Sequence, residues 1–229
     1  MRTLAHAART PAADIRLGLL LAFVAGGINA GGFLAIGAYT SHMTGLLSTV
    51  ADATALAHWR LAAVAALGLA AFVGGAAGAS LLVHLGRRRA PHRQWALPLA
   101  VEGLLIGLFG LYGTLLPASF QVPALGMLLL CVIMGLQNAT ISILTQARLR
   151  TTHVTGMFTD IGIELGQWLN RRQRPQADLA KARLLASLAA GFLVGGLAGA
   201  VGFTAIGLGF AFPYALLLLA VAAPHLRRA

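Results

Sequence analysis

Six residues that could do chemistry occur twice. Thr40-Ser41-His42-Met43-Thr44-Gly45 returns as Thr151-Thr152-His153-Val154-Thr155-Gly156, 111 positions later. The shared pattern is T-[ST]-H-[MV]-T-G. Its imidazoles are of a type suited to proton or substrate handling. Two histidines with no third ligand type nearby make a poor metal site, and no cofactor is expected. A structural histidine hydrogen-bonded to its own turn is the alternative role for each. Each copy follows an apolar run that carries amides, Asn29 in the first and Gln137-Asn138 in the second. An amide in an apolar run must face protein or a cavity, because an unpaired one is costly in lipid. It serves either an interhelical hydrogen bond or a substrate contact. Candidate substrate-binding residues are therefore Asn29, His42, Thr44, Gln137, Asn138, His153 and Thr155.

Each motif precedes a stretch with helical periodicity. Leu46, Leu47, Val50, Ala53 and Ala57 share a face in the first. Phe158, Ile161, Leu165 and Trp168 share one in the second, with Thr159, Asp160, Glu164 and Gln167 opposite. Thr44 and Thr155 then read as helix N-caps, and the following glycine leaves backbone N–H groups accessible to an anion. Such a helix either dips into a bilayer as a half-helix or lies on it as an amphipathic surface helix. The charges of the second copy favour the interface for that one. Asp160 and Glu164 are expected on a solvated face beside Arg171.

These segments sit in a very apolar chain. The 229 residues are 58% hydrophobic and 10% charged, with mean hydropathy +0.80. A soluble domain carries about 25% charged residues, so there is too little polar surface here to cover a water-soluble globule. Six windows have the length and composition of membrane spans, at 17–38, 61–85, 97–116, 122–144, 184–202 and 205–223. The break between the last two is placed at Gly202 to Ala205, and Pro213 is expected to kink the sixth. The first run is too long for a signal h-region of about 7–15 residues and reads as a retained span. Cys131 is the only cysteine, which excludes an intrachain disulfide. It is expected to face lipid or the core. Glu102 is the one acid clearly inside a span, near its cytoplasmic end, where the readings are a pair with Arg93, access to water, or a relay role.

Net charge is +11, and its distribution explains it without nucleic acid. With the N-terminus cytoplasmic, the cytoplasmic segments hold Arg2, Arg9, Arg16, Arg87, Arg88, Arg89, Arg93, Arg148, Arg150, Arg171, Arg172, Arg174, Lys181, Arg183, Arg227 and Arg228. That is every basic residue except Arg60. Anionic lipid headgroups on that side are the expected partner.

The halves repeat in the same order: a span with Asn, the hexapeptide, a short helix, a span with V-G-G-x-A-G-A, then a third span. Val73–Ala79 matches Val194–Ala200 at an offset of 121, and Asn29 matches Asn138 at 109. Three spans per half put the second half into the membrane with opposite topology. The expected fold is thus an all-α polytopic membrane protein of six transmembrane helices in two inverted three-helix repeats, 17–116 and 122–223, with a re-entrant or interfacial helix after spans one and four.

The strings N-A-G-G-F-L at 29–34, S-H-M-T-G at 41–45, G-L-Q-N-A at 135–139 and R-T-T-H-V-T-G at 150–156 resemble the YoaK family (domain of unknown function 1275) of bacterial inner-membrane proteins. The resemblance covers nearly the whole chain. It implies a polytopic membrane protein with no established activity. Ala30 and Leu46 stand where the family often has an acid and an asparagine. No nucleophile elbow, P-loop or metalloprotease motif is present, so enzymatic chemistry has no positive support. The expected function is a small-solute transporter or channel, with a non-transporting scaffold or regulatory module as the alternative. Gly/Ala faces allow a homodimer.

Overall fold

A computed structural model describes residues 10–115, 123–170, 172 and 174–226. Arg2, Arg9, Arg171, Arg227 and Arg228, and the expected span bounds at 116 and 122, lie outside the described residues. Eight α-helices follow one another: α1 Pro11–Ile36, α2 Met43–Ala55, α3 Trp59–Arg89, α4 Ala96–Leu115, α5 Pro123–Thr145, α6 Val154–Leu169, α7 Leu179–Ile206 and α8 Ala211–Leu226. No strand occurs among the described residues. Four helices (α1, α3, α4, α5) and the stretch Leu179–Leu226 are long and apolar enough to cross a membrane. In a bilayer only internally bonded helices tolerate that much hydrocarbon. The chain is a multi-pass integral membrane protein.

The last stretch is broken later than its hydropathy suggests. Helix α7 runs through Gly202 and ends at Gly207, whose φ of 72° suits glycine, and a 3-10 turn Gly207–Phe210 leads into α8. The chain then folds back: Phe210 packs under Gly202, and the Tyr214 hydroxyl donates to the Gly195 carbonyl at 3.3 Å. Pro213 falls in the first turn of α8, where a missing N–H costs nothing. The proline inside that helix is Pro224.

Glycines fix how the long helices pair. Gly18 meets Leu188, Gly26 meets Phe192 and Gly196, and Gly31 meets Phe203, so α1 and α7 run parallel. Gly68 meets Met127, and Gly135 meets Phe72 and Ala76, so α3 and α5 also run parallel. Gly103 faces Leu219 and Gly113 faces Leu208, so α4 and α8 are antiparallel. Short helix α2 lies back along the first half of α3, with Leu46, Met43 and Val50 against Ala65, Leu69 and Phe72. Helix α6 lies back along α7 in the same way, from Val154 near Leu193 to Glu164 near Lys181.

The alternation of buried and exposed positions recurs in register between the halves. It is identical between 17–28 and 126–137, between 40–55 and 151–166, between 61–79 and 181–199, and between 102–110 and 214–222. The third pairing has an offset of 120, not the 121 expected from the glycine strings. Gly75 therefore corresponds to Gly195: each lies against a carbonyl of the neighbouring helix, that of Val132 and of Phe23.

This packing gathers the basic residues. Arg16, Arg87, Arg88, Arg93, Arg148, Arg150, Lys181 and Arg183 all lie at one end of the bundle, where α1, α4 and α7 begin and α3, α5 and α8 end. Arg60 begins α3 at the other end. Asp14 and Arg148 pair there at 3.8 Å, and Lys181 joins Asp160 and Glu164 at 3.3 Å each.

Candidate functional site

The hexapeptides are return turns. Helix α1 stops at Gly37, whose φ of 76° lets its N–H reach Phe33 O. The chain then doubles back until Ser41 meets Asn29, two turns before the helix end, which is about 10 Å back along it. The Ser41 hydroxyl donates to Asn29 Oδ1 at 2.9 Å and its backbone N–H at 3.3 Å. The second copy repeats this: α5 ends at Thr145, left-handed Gln146 and Ala147 reverse the chain, and the Thr152 hydroxyl donates to Asn138 Oδ1 at 2.8 Å. Thr40 and Thr151 are fully buried beneath the turns. Cys131 faces the core, with its thiol 3.8 Å from Thr40 O.

The Asn–hydroxyl pair pins each turn, and that gives a first prediction. Asn138→Leu removes the acceptor of Thr152 and should cost about 1–3 kcal/mol, read as a lower melting temperature in detergent. Asn138→Leu/Thr152→Val should recover part of that loss, since replacing both partners strands neither.

His42 and His153, not Thr44 and Thr155, occupy the N-cap positions of α2 and α6. Their φ/ψ values agree closely, −97°/74° and −84°/56°, and neither side chain caps its helix. The threonines fall in the first helical turn. The imidazole of each histidine folds over that turn, where a Cβ on Gly45 or Gly156 would run into it. The glycine makes room for the histidine ring. It does not leave the helix start bare, as its lack of a side chain suggests. The first-turn amides remain without an intrahelical acceptor.

Both turns reach one cavity of about 490 Å³ along the groove between α3 and α5. His42, Thr44, Asn138, His153 and Thr155 line it, with Phe72 and Ala76 forming the apolar wall. The motifs, 111 positions apart, are thus brought together. Two candidates are elsewhere. Asn29 lines a mainly apolar cavity of about 630 Å³ between α1 and α7, the counterpart position of Asn138 in the other half. Gln137 is fully buried, and its Nε2 donates to Leu21 O, tying α5 to α1. Arg150, which the sequence places in the charge balance and at the head of the string R-T-T-H-V-T-G but not among the candidate site residues, also lines the hexapeptide cavity. Its position directly before the second motif is the one signal in the sequence that points there.

One residue of the short helices departs from its expected place, Glu164. In α6 the buried positions are Met157 and Glu164, while Phe158, Leu165 and Trp168 point outward. Glu164 is not solvated: it accepts from Asp178 N at 2.7 Å and from Lys181 Nζ at 3.3 Å. Leu47 likewise points outward from α2, and Ala57 lies beyond its end with φ 56°. Glu102 is also fully buried, and neither oxygen has a hydrogen-bond partner among the described residues, so Arg93 does not pair with it.

Residues 17–223 match a family described as a protein of unknown function, DUF1275. The chain belongs to this family. The match spans both hexapeptides, all eight helices in whole or in large part, and the cavity between the motifs. No curated protein and no solved structure matches the chain.

Proposed function

We propose that this protein is a transporter or channel for a small solute, built from two inverted three-span repeats in the bacterial inner membrane. The observation that carries the reading is the shared cavity. A hexapeptide from each half folds back from its own end of the bundle, and both converge on one space lined by His42, Thr44, Asn138, His153 and Thr155. Transporters place their sites between related halves in this way, at the starts of broken helices. The recurring burial pattern supports the repeat, because four segments keep it through three changes of offset. The parallel pairing of α1 with α7 and of α3 with α5 has the symmetry of exchanged halves. Six crossings, α7 and α8 included, bring both termini to the basic end, which faces the cytoplasm and its anionic headgroups. Asn29 and Gln137 support the site by holding the first turn and the α1–α5 contact. The outward apolar faces of α3 and α7 meet lipid or a second copy.

Impermeant labelling of single cysteines tests the topology. In a Cys131→Ala background, a cysteine replacing exposed Ser48 on α2 should label from the periplasmic side. One replacing exposed Thr159 on α6 should label from the cytoplasmic side. Labelling of both from one side only removes the inverted-repeat argument and leaves a membrane scaffold.

A further inference from the structure

Resting on that reading, the lining of the hexapeptide cavity points to its solute: we propose that it binds a small anion, with Arg150 as the residue that selects for charge. The cavity has one charged side chain on its wall, Arg150, and no acidic one among the described residues. Arg150 makes no ion pair with a described residue, whereas its neighbour Arg148 is taken by Asp14 at 3.8 Å. Asp160 shares a recess of about 240 Å³ with Arg150 and His153. Asp160 shares Lys181 with Glu164, at 3.3 Å each, and lines that recess and not the hexapeptide cavity.

Other polar groups at the turns already have partners within the protein. The Ser41 and Thr152 hydroxyls donate to the asparagine oxygens, and Asn138 Nδ2 donates to Met134 O at 2.9 Å. Asn29 Oδ1 thereby accepts two hydrogen bonds and Asn138 Oδ1 one. The wall also carries the Thr44, Thr155 and Ser142 hydroxyls and the His42 and His153 rings, which fold over the first turns of α2 and α6. Those turns add the positive ends of two helix dipoles. A cation entering this space meets Arg150 and both helix starts with no carboxylate to offset them. A small anion meets a guanidinium that can form charge-assisted hydrogen bonds. The volume of about 490 Å³ accepts an inorganic anion or a short carboxylate.

The test uses the full chain in liposomes, with swelling followed by light scattering. The probes are potassium nitrate, formate and pyruvate with valinomycin present, and the neutral solutes glycerol and urea. At least one anion should enter faster than into protein-free vesicles. Arg150→Gln should slow that entry by about tenfold, while Arg150→Lys keeps most of it. Arg150 is exposed in a loop, so folding survives the change. Melting temperature in detergent, measured with the same salts, gives a second readout: the active anion should raise it in wild type and not in Arg150→Gln. Entry of glycerol or urea with no anion entry and no anion-dependent melting shift overturns the anion assignment and leaves the transport reading intact. No entry of any solute together with no melting shift overturns both. Equal anion entry in wild type and Arg150→Gln removes Arg150 as the selecting residue and overturns the inference.

Discussion

Gly26→Ala and Gly135→Ala should each lose most of the folded protein, at a cost of about 3 kcal/mol or more. At both positions the added Cβ falls on backbone: on the Phe192 carbonyl for Gly26 and on the Phe72 carbonyl for Gly135. A side chain in the way can rotate, but a helix backbone can move only by parting the two helices. Van der Waals packing at close approach is the main attraction between helices in lipid, where hydrocarbon competes for every apolar face. Parting α3 from α5 also opens the wall of the hexapeptide cavity. The glycines of α3 that face outward provide the control. A methyl group added at Gly74 or Gly78 would meet nothing within 4 Å, so alanine there should be neutral or stabilising by up to about 1 kcal/mol. Monodispersity on size exclusion and melting in detergent separate the two classes. A normal melting curve for Gly26→Ala would mean that the helices do not cross at that distance.

The site is legible in the sequence because its polar groups stand out against an apolar background. Two histidine-bearing strings and their asparagines can be paired by spacing alone, and the structure joins each asparagine to the second residue of its hexapeptide. The glycine strings mislead by one position. V-G-G-x-A-G-A aligns at 121 by letter, but what recurs is the face turned to the partner helix, and that aligns Gly75 with Gly195. The break after α7 is hidden because hydropathy runs on unchanged through Ile206, while the turn depends on the backbone freedom of Gly207. In α6 the shared apolar face of Phe158, Leu165 and Trp168 is exposed, and only Glu164 leaves the solvated face expected for it. Here the outer medium is hydrocarbon, and the core side carries Glu164, matched by Lys181 seventeen positions on. That partner belongs to another helix, so no local window contains it. Arg150 escapes notice because charge counting assigns every arginine near a span end to topology before it can be considered for a site.

Glu102→Leu should stabilise the protein by about 2 kcal/mol, the opposite sign to most changes in a core. Glu102 occupies the position in α4 that Tyr214 occupies in α8, within stretches 102–110 and 214–222 whose burial is identical. The polar atom of Tyr214 is satisfied, because the hydroxyl reaches the Gly195 carbonyl at 3.3 Å. Glu102 is fully buried, and both oxygens lack a hydrogen-bond partner among the described residues. A leucine of similar size removes the stranded oxygens and keeps the packing on α8, where neighbouring Gly103 lies against Leu219. Glu102→Gln keeps a polar group in the same apolar place and should change the melting temperature little. A drop for Glu102→Leu comparable to a core truncation would show that the carboxyl is bonded after all. The flux assay then gives the gain a meaning. A more stable Glu102→Leu protein with unchanged anion entry makes the carboxyl a tolerated defect. A more stable protein that no longer transports places Glu102 in the working cycle, where a buried acid that trades stability for activity belongs.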